Sequence, residues 1–231
     1  MSKLYHYPMS SSSRFVRLIL SEYDFKPDMI EEYPWGKRRE FLKLNPSGGL
    51  PVYIVDNHPQ ALCGFAIISE YLDEIYGSVT KKNRLFPTDP FQRAETRRMI
   101  EWFMYQIEYD VTRPLVNERV YKLHMTTEQG GGSPDSKALR IARKNMREHT
   151  KYITCIIKSR SWIAGDHISY ADFAASATIS VLDYLGEIDW ESFPIIKEWY
   201  QRIKSRPSFR PILSERIRGL LPVSHYTDLD F

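Results

Sequence analysis

The sequence predicts two domains, an α/β domain with a mixed sheet followed by an all-helical domain. Strand-like runs fall within residues 1–78, where they alternate with helical patterns in the order βαβαββα. The stretch 77–90 is polar and contains two prolines, which predicts a linker at residues 79–88. Residues 89–221 carry helical periodicity, and residues 222–231 form a C-terminal tail.

Composition excludes several classes of function. The 32 basic and 29 acidic residues give a net charge of only +3, which is no indication of a nucleic-acid groove. The two cysteines, Cys63 and Cys155, lie far apart and match no metal-ligand spacing. No secretion signal and no run of 18 apolar residues is present. We therefore expect a cytoplasmic protein that neither inserts into a membrane nor holds a metal.

The first strand, Lys3 to Tyr7, is followed by four consecutive serines, 10–13, and then by an apolar pattern with helical spacing. A serine is a preferred N-cap, so at least one of the four is expected to cap this helix. A hydroxyl at a helix N-terminus is also well placed to hold a thiolate. Because Ser10 and Ser13 stand where redox relatives carry CxxC, dithiol chemistry is excluded here.

The second strand is predicted over Asp28 to Tyr33, with a short helix near Phe41. Between them, Trp35 lies in a loop beside a proline and a glycine. A large aromatic side chain in a loop either folds back onto the core or binds a partner, and the sequence leaves both possibilities open.

The stretch 45–72 is the most informative part of the first domain. Leu50-Pro51 precedes a strand (Val52 to Val55), a turn, a second strand (Gln60 to Leu62) and a helix from Gly64 to about Tyr76. This order looks like the second half of a thioredoxin-like domain. There the proline is cis, and the residue before it pairs through its backbone with a thiol peptide. An ordinary trans peptide bond is the alternative.

The second domain shows clear helix boundaries. Asp89-Pro90 begins a helix that Pro114 is expected to bend or end. Ser169 and Asp172 form a capping box before a helix that is apolar on nearly every side. The other helices are predicted over Ser136 to about Ser159, Ile195 to Ser205 and Pro211 to Leu220.

Two surfaces are candidates for binding a partner. On the helix that begins at Ser136, Leu139 lies beside Arg140 and Arg143, which makes either a docking face or a solvated one. In the tail, Asp228, Asp230 and Phe231 with its α-carboxylate suit a basic, partly apolar groove on another protein. The alternative for the tail is a segment that frays or packs back on its own domain.

Four motifs in this order resemble the glutathione S-transferase family, from the first strand to about residue 220. They are LYHYPMSSSSRFVR, NPSGGLP, AIISEYL and GDHISYADF. The resemblance implies the two-domain fold of that family, a homodimer and glutathione as cosubstrate. It makes Ser10 the group that assists the glutathione thiolate, with Ser11 to Ser13 as neighbours whose register the sequence does not fix. Leu50 and Pro51 would bind the cysteinyl backbone.

The chain departs from the family pattern where glutathione's charged ends would bind. Gly49 stands where the family commonly has Lys or Gln, and Cys63-Gly64 replace an acidic residue and a serine. Each lost charge-assisted hydrogen bond costs roughly 1.5–3 kcal/mol, or one to two decades of affinity. We expect a vestigial glutathione site and no required cofactor. Cys63 is either a thiol activated by a helix N-terminus or a buried filler.

The degenerate site and the tail resemble a non-catalytic branch of this family that binds the tubulin-like division polymer FtsZ. The function predicted from this resemblance is a dimeric regulator of cytokinesis at the division site. The tail would be available for FtsZ or for a further protein of the division machinery. The alternative is a glutathione transferase in which Ser10 acts on an unidentified electrophile.

Overall fold

The first domain of the computed structural model, which describes residues 1–77, 79 and 84–231, is built on a four-stranded sheet. The strands lie in the order β2-β1-β3-β4, with β1 parallel to β2 and antiparallel to β3. The predicted mixed sheet and its βαβαββα order are confirmed. The strand bounds are Lys3–His6 for β1, Asp28–Glu31 for β2, Val52–Ile54 for β3 and Ala61–Cys63 for β4.

Three helices complete this domain. They are α1 (Ser11–Glu22), α2 (Arg39–Leu44) and α3 (Phe65–Leu72), which continues into a π-helical turn over Asp73–Gly77. The predicted domain limits at residues 78 and 79–88 lie partly outside the described residues and remain a prediction.

A long helical rod opens the second domain, and it corrects the prediction for Pro114. Helix α4 begins with the predicted Asp89 cap, whose side chain accepts a hydrogen bond from the Gln92 N–H at 2.8 Å. The rod does not end or break at Pro114. Pro114 leaves the Asp110 carbonyl without its helical donor, and Asn145 donates to that carbonyl at 3.2 Å instead. The segments are α4 (Pro90–Glu101), π-helical Trp102–Thr112, α5 (Arg113–Val116), π-helical Asn117–Tyr121 and α6 (Lys122–His124).

The remaining helices pack around α8. Their bounds are α7 (Ser136–Ser159), α8 (Tyr170–Tyr184), α9 (Pro194–Lys204) and α10 (Arg210–Leu213). The predicted helix from Pro211 to Leu220 is wrong beyond Leu213. The Tyr184 hydroxyl donates to the Leu220 carbonyl and accepts from the Ile217 N–H, and these bonds hold that backbone in a non-helical turn.

The capping box at the start of α8 is confirmed. Ser169 accepts a hydrogen bond from the Ala171 N–H, and the Asp172 carboxylate accepts from the Ser169 N–H at 2.9 Å. Asp172 also accepts from the Trp199 indole at 3.0 Å. Burial raises the pKa of Asp172 to about 6 despite these donors. Every residue of α8 is buried, so this helix is the centre of the second domain.

Candidate functional site

The four consecutive serines, which we call the serine row (Ser10 to Ser13), lie at the start of α1 with separate roles. Ser10 is the N-cap and accepts a hydrogen bond from the Ser13 N–H at 3.2 Å. Ser13 is buried, and its hydroxyl accepts from the Tyr7 N–H at 3.3 Å. Ser10 and Ser13 therefore stabilise the β1–α1 connection, as the capping rule predicts.

Ser12 connects the serine row to the cis-proline. The Leu50-Pro51 bond is cis, as predicted. The Ser12 hydroxyl donates to the Leu50 carbonyl at 3.0 Å, so Ser10, whose oxygen lies 3.0 Å from that of Ser12, is the donor between the two. The backbone carbonyl expected to meet a thiol peptide thus already has a donor within the chain. The sequence did not single out Ser12, because a run of identical residues hides which one starts the helix.

Ser11 points to the other domain. Its hydroxyl donates to the Glu108 carboxylate at 3.0 Å, across 97 positions of sequence. Burial raises the pKa of Glu108 to about 7, although Ser11 and the Arg113 charge favour its ionised form. An ionised Glu108 beside the serine row would disfavour a thiolate there by like-charge repulsion. No local pattern in the sequence marks Glu108, which lies within the π-helical segment 102–112.

Cys63 and Gly64 do not form a reactive site. The Cys63 thiol is half-buried and donates to the Leu44 carbonyl at 3.5 Å, and burial raises its pKa. Of the two interpretations left open, the buried filler agrees with this raised pKa, whereas an activated thiol requires a lowered one. Gly64 has φ of 90°, a left-handed conformation that a side chain would strain.

Trp35 joins the two domains. Its ring lies 5.4 Å from that of Tyr7, 5.1 Å from Tyr33 and 5.0 Å from Tyr121, and it stacks on His124. Tyr7 and Tyr33 belong to the first domain, whereas Tyr121 and His124 are on the helical rod. Of the two interpretations left open, Trp35 follows the one in which the ring packs back onto the protein, with its outer side half-exposed.

The tail also packs back on its own domain through Phe231. The Phe231 ring lies 5.2 Å from the Trp190 ring and stacks on His225, and the Lys204 ammonium lies 3.9 Å from its centre. Gln201 donates to the Phe231 carbonyl oxygen at 3.1 Å. Asp228 and Asp230 remain exposed. Phe231 therefore anchors the tail and leaves its two carboxylates accessible.

The three predicted partner-binding residues on α7 lie in different environments. Leu139 is half-buried and packs against the core. Arg143 makes two hydrogen bonds to the buried Glu187, at 2.7 and 3.0 Å, and Arg119 pairs with the same carboxylate. Arg140 is exposed and forms no hydrogen bond or ion pair in the described part of the chain. Arg143 is exposed as well, so Arg140 differs from it in having no partner within the described residues.

The described residues contain neither a metal-binding cluster nor a membrane-spanning helix. No cluster of three or more His, Cys, Asp or Glu side chains there has metal-binding geometry. No described helix combines the length and apolar character that crossing a bilayer requires.

Comparison with known proteins agrees with this architecture. Residues 4–81 match the family model of the glutathione S-transferase N-terminal domain, and residues 116–216 match that of the C-terminal domain. The chain belongs to the glutathione S-transferase family. It is 40% identical over 230 residues to FtsZ-localized protein A of Caulobacter vibrioides, covering 99% of this chain and 97% of that protein.

Two solved structures extend the likeness over the full chain. A crystal structure of glutathione S-transferase from Sinorhizobium meliloti shares 63% identity, with a TM-score of 0.98 and complete coverage of both chains. FzlA from C. crescentus shares 39% identity, with a TM-score of 0.91, and the match covers 100% of this chain and 99% of that one.

Glutathione fits this site only in part. The cis-Pro51 and the Leu50 backbone are in the family's arrangement, but the Leu50 carbonyl accepts from Ser12. Gly49, Cys63 and Gly64 carry no group for the two charged ends of the tripeptide. Glu108 adds a carboxyl group beside the serine row. These residues do not fit an anionic tripeptide, and we derive no reaction through it.

Proposed function

We propose that this chain is a non-catalytic, dimeric regulator of cytokinesis that associates with FtsZ filaments at the division site. The observation that carries the proposal is the likeness to FtsZ-localized protein A over nearly the whole chain. The geometry of the serine row supports it, because the hydroxyl donors that would hold a thiolate are hydrogen-bonded within the protein. The protein acts by docking and requires no cofactor.

A homodimer gives this function its mechanism. Exposed apolar side chains lie on α3 and on the helical rod, namely Ile67 (54% exposed), Phe91 (83%) and Tyr105 (58%). These elements are neighbours, since Arg97 on α4 pairs with Glu70 on α3 at 2.8 Å. Burying this surface against a second copy would present two docking faces on one particle. Two linked contacts along a filament bind far more tightly than one, which favours bundled or curved filaments.

The tail is a second contact point in this proposal. Phe231 is held by Lys204 and His225, so Asp228 and Asp230 are displayed on an anchored loop. Two carboxylates near the exposed Leu229 suit a basic groove on FtsZ or on a further division protein.

Filament pelleting tests the proposal. FtsZ is polymerised with GTP and centrifuged with this protein, after light scattering has verified a particle of twice the mass of one chain. We expect the protein in the pellet only when FtsZ is polymerised. A protein that stays in the supernatant at every FtsZ concentration would contradict the proposal.

The second candidate function is a glutathione transferase that uses Ser10. It is favoured by the cis-proline and by the Ser10 hydroxyl at the N-terminus of α1. Calorimetric titration with glutathione to about ten millimolar distinguishes the two functions. Saturable binding in the micromolar range would support the enzyme, and we expect no saturation.

A further inference from the structure

The outward face of α7 carries an unusual number of cations without partners. We define the α7 stripe as Lys137, Arg140, Ile141, Lys144, Arg147 and Lys151, all of them exposed. At 100° per residue these six side chains fall within an arc of about 120°, opposite the face that packs on the core. From Lys137 to Lys151 the stripe is about 21 Å long, at 1.5 Å per residue.

Most of these charges lack an ion pair. Among the described residues only Lys151 forms one, to Glu148 at 3.0 Å, although Glu148 also lies near Lys144 and Arg147. Lys137, Arg140, Lys144 and Arg147 have neither an ion pair nor a hydrogen bond among the residues described. Three other arginines on helix surfaces are paired, Arg97 with Glu70, Arg98 with Glu95 and Arg143 with Glu187, whereas the exposed arginines 39, 113 and 210 form no ion pair among the described residues.

One apolar side chain lies along the edge of these cations. Ile141 is 49% exposed, although the helix has an apolar face that already packs on the core. A partner that buries Ile141 gains hydrophobic free energy, and one that brings carboxylates meets at least four unpaired cations.

We propose that the α7 stripe is a docking site for an acidic peptide segment of a partner protein, with one bulky apolar residue placed against Ile141. The inference rests on the proposed scaffold function, in which the chain works by docking. The length of the stripe matches about six residues of extended chain, at 3.3 Å each, or four turns of helix.

The same observations disfavour other anionic partners. A helix that binds a bilayer surface presents several large apolar residues, whereas this stripe presents Ile141 alone. Single-stranded nucleic acid requires aromatic side chains for stacking, and the stripe contains none.

The test uses fluorescence anisotropy with a defined probe, a fluorescein-labelled peptide of six glutamates with a central leucine. The stripe variant is Arg140→Glu with Lys144→Glu. Both residues are exposed and form no hydrogen bond or ion pair with the described part of the chain. The matched control is Lys3→Glu with Lys43→Glu, which changes the net charge equally on exposed residues of the other domain. We expect at least tenfold weaker binding to the stripe variant and wild-type binding to the control.

Three outcomes would overturn the inference. The first is equal binding of the probe to the wild type, the stripe variant and the control. The second is no loss of affinity when leucine in the probe is replaced by glycine. The third is binding of the stripe to vesicles of phosphatidylglycerol and phosphatidylcholine without binding of the peptide. Because FtsZ is absent from this assay, failure of the inference and failure of the proposed function are separate results.

Discussion

The serine row and the α7 stripe differ in where their polar groups find partners. In the serine row, Ser11 donates to Glu108 and Ser12 donates to Leu50, so these groups hold the two domains and the cis-proline together. On the stripe, Arg140 and Lys144 contact solvent. The serine hydroxyls, which lie where the family resemblance places the chemistry, are hydrogen-bonded within this protein. The polar groups that remain available to a partner lie on α7.

The difference has an energetic meaning. A ligand can share the Leu50 carbonyl with Ser12, but it gains a hydroxyl donor from the serine row only by breaking an intramolecular hydrogen bond, which contributes about 1 kcal/mol. A ligand at the α7 stripe displaces only water and counterions, and it gains about 0.2–1 kcal/mol for each exposed pair it forms. Docking on the stripe is therefore weak for each contact and depends on number and avidity.

The largest expected effect is on the pH dependence of stability, through Glu108. Its pKa of about 7 in the folded protein is above the ordinary value of 4.5, so the stability it contributes is present below pH 4.5 and is lost as pH rises through 7. Glu108→Gln removes this loss. Relative to the wild type, the variant should gain up to about 3 kcal/mol in free energy of unfolding between pH 4.5 and 8.

Urea denaturation across this pH range measures the gain. Glu101→Gln, an exposed position on the same helical rod, is the matched control and should follow the wild type. If the free energy of unfolding varied with pH in the same way for Glu108→Gln and the wild type, Glu108 would not be held in a desolvated site. The contrast between the serine row and the α7 stripe would then lose its main support.

Substituting two arginines on α7 one at a time should have a smaller effect on stability and separates a structural role from a docking role. Arg143→Ala removes two hydrogen bonds to the buried Glu187, but Arg119 still pairs with that carboxylate, so we expect a loss of about 1–2 kcal/mol. Arg140→Ala removes no internal contact and should change stability by less than about 0.5 kcal/mol. Thermal or urea unfolding of both variants measures this. Equal losses would contradict the assignment of separate structural and docking roles.

A loss of stability at the lower end of that for Arg143→Ala is expected at Ser10. Ser10→Ala removes the N-cap of α1 and should cost about 1 kcal/mol of stability, while leaving filament binding unchanged. Ser133→Ala, in an exposed loop, is the control for the substitution itself. If Ser10→Ala kept its fold but no longer pelleted with FtsZ, the serine row would take part in binding, which contradicts its purely structural role.

Local rules predicted much of the fold. Helix caps could be predicted from sequence because a cap and its partner lie within three residues, as in the capping box of Ser169 and Asp172 and at the N-cap Asp89. The cis-proline was implied by the resemblance of the stretch around Leu50 to a thioredoxin-like domain, not by a local rule. At Pro114 the same rules left a bend or an end open; the helical rod does not end there, and the Asn145 side chain on another helix donates to the Asp110 carbonyl.

The site was less predictable, since its bonds join distant parts of the chain. Ser11 and Glu108 are 97 residues apart, and nothing near either residue indicates the other. Arg140 and Arg143 look alike in sequence, and only the position of Glu187 separates their roles. The anchoring of Phe231 likewise depends on Lys204, which belongs to α9.

Filament pelleting with two variants side by side tests the central claim most directly. Ser10→Ala disturbs the serine row, and the double variant Arg140→Glu, Lys144→Glu disturbs the α7 stripe. The account predicts that Ser10→Ala pellets with polymerised FtsZ as the wild type does, and that the stripe variant remains largely in the supernatant while keeping its dimer and its unfolding midpoint. Loss of pelleting by Ser10→Ala, with the stripe variant unaffected, would contradict it.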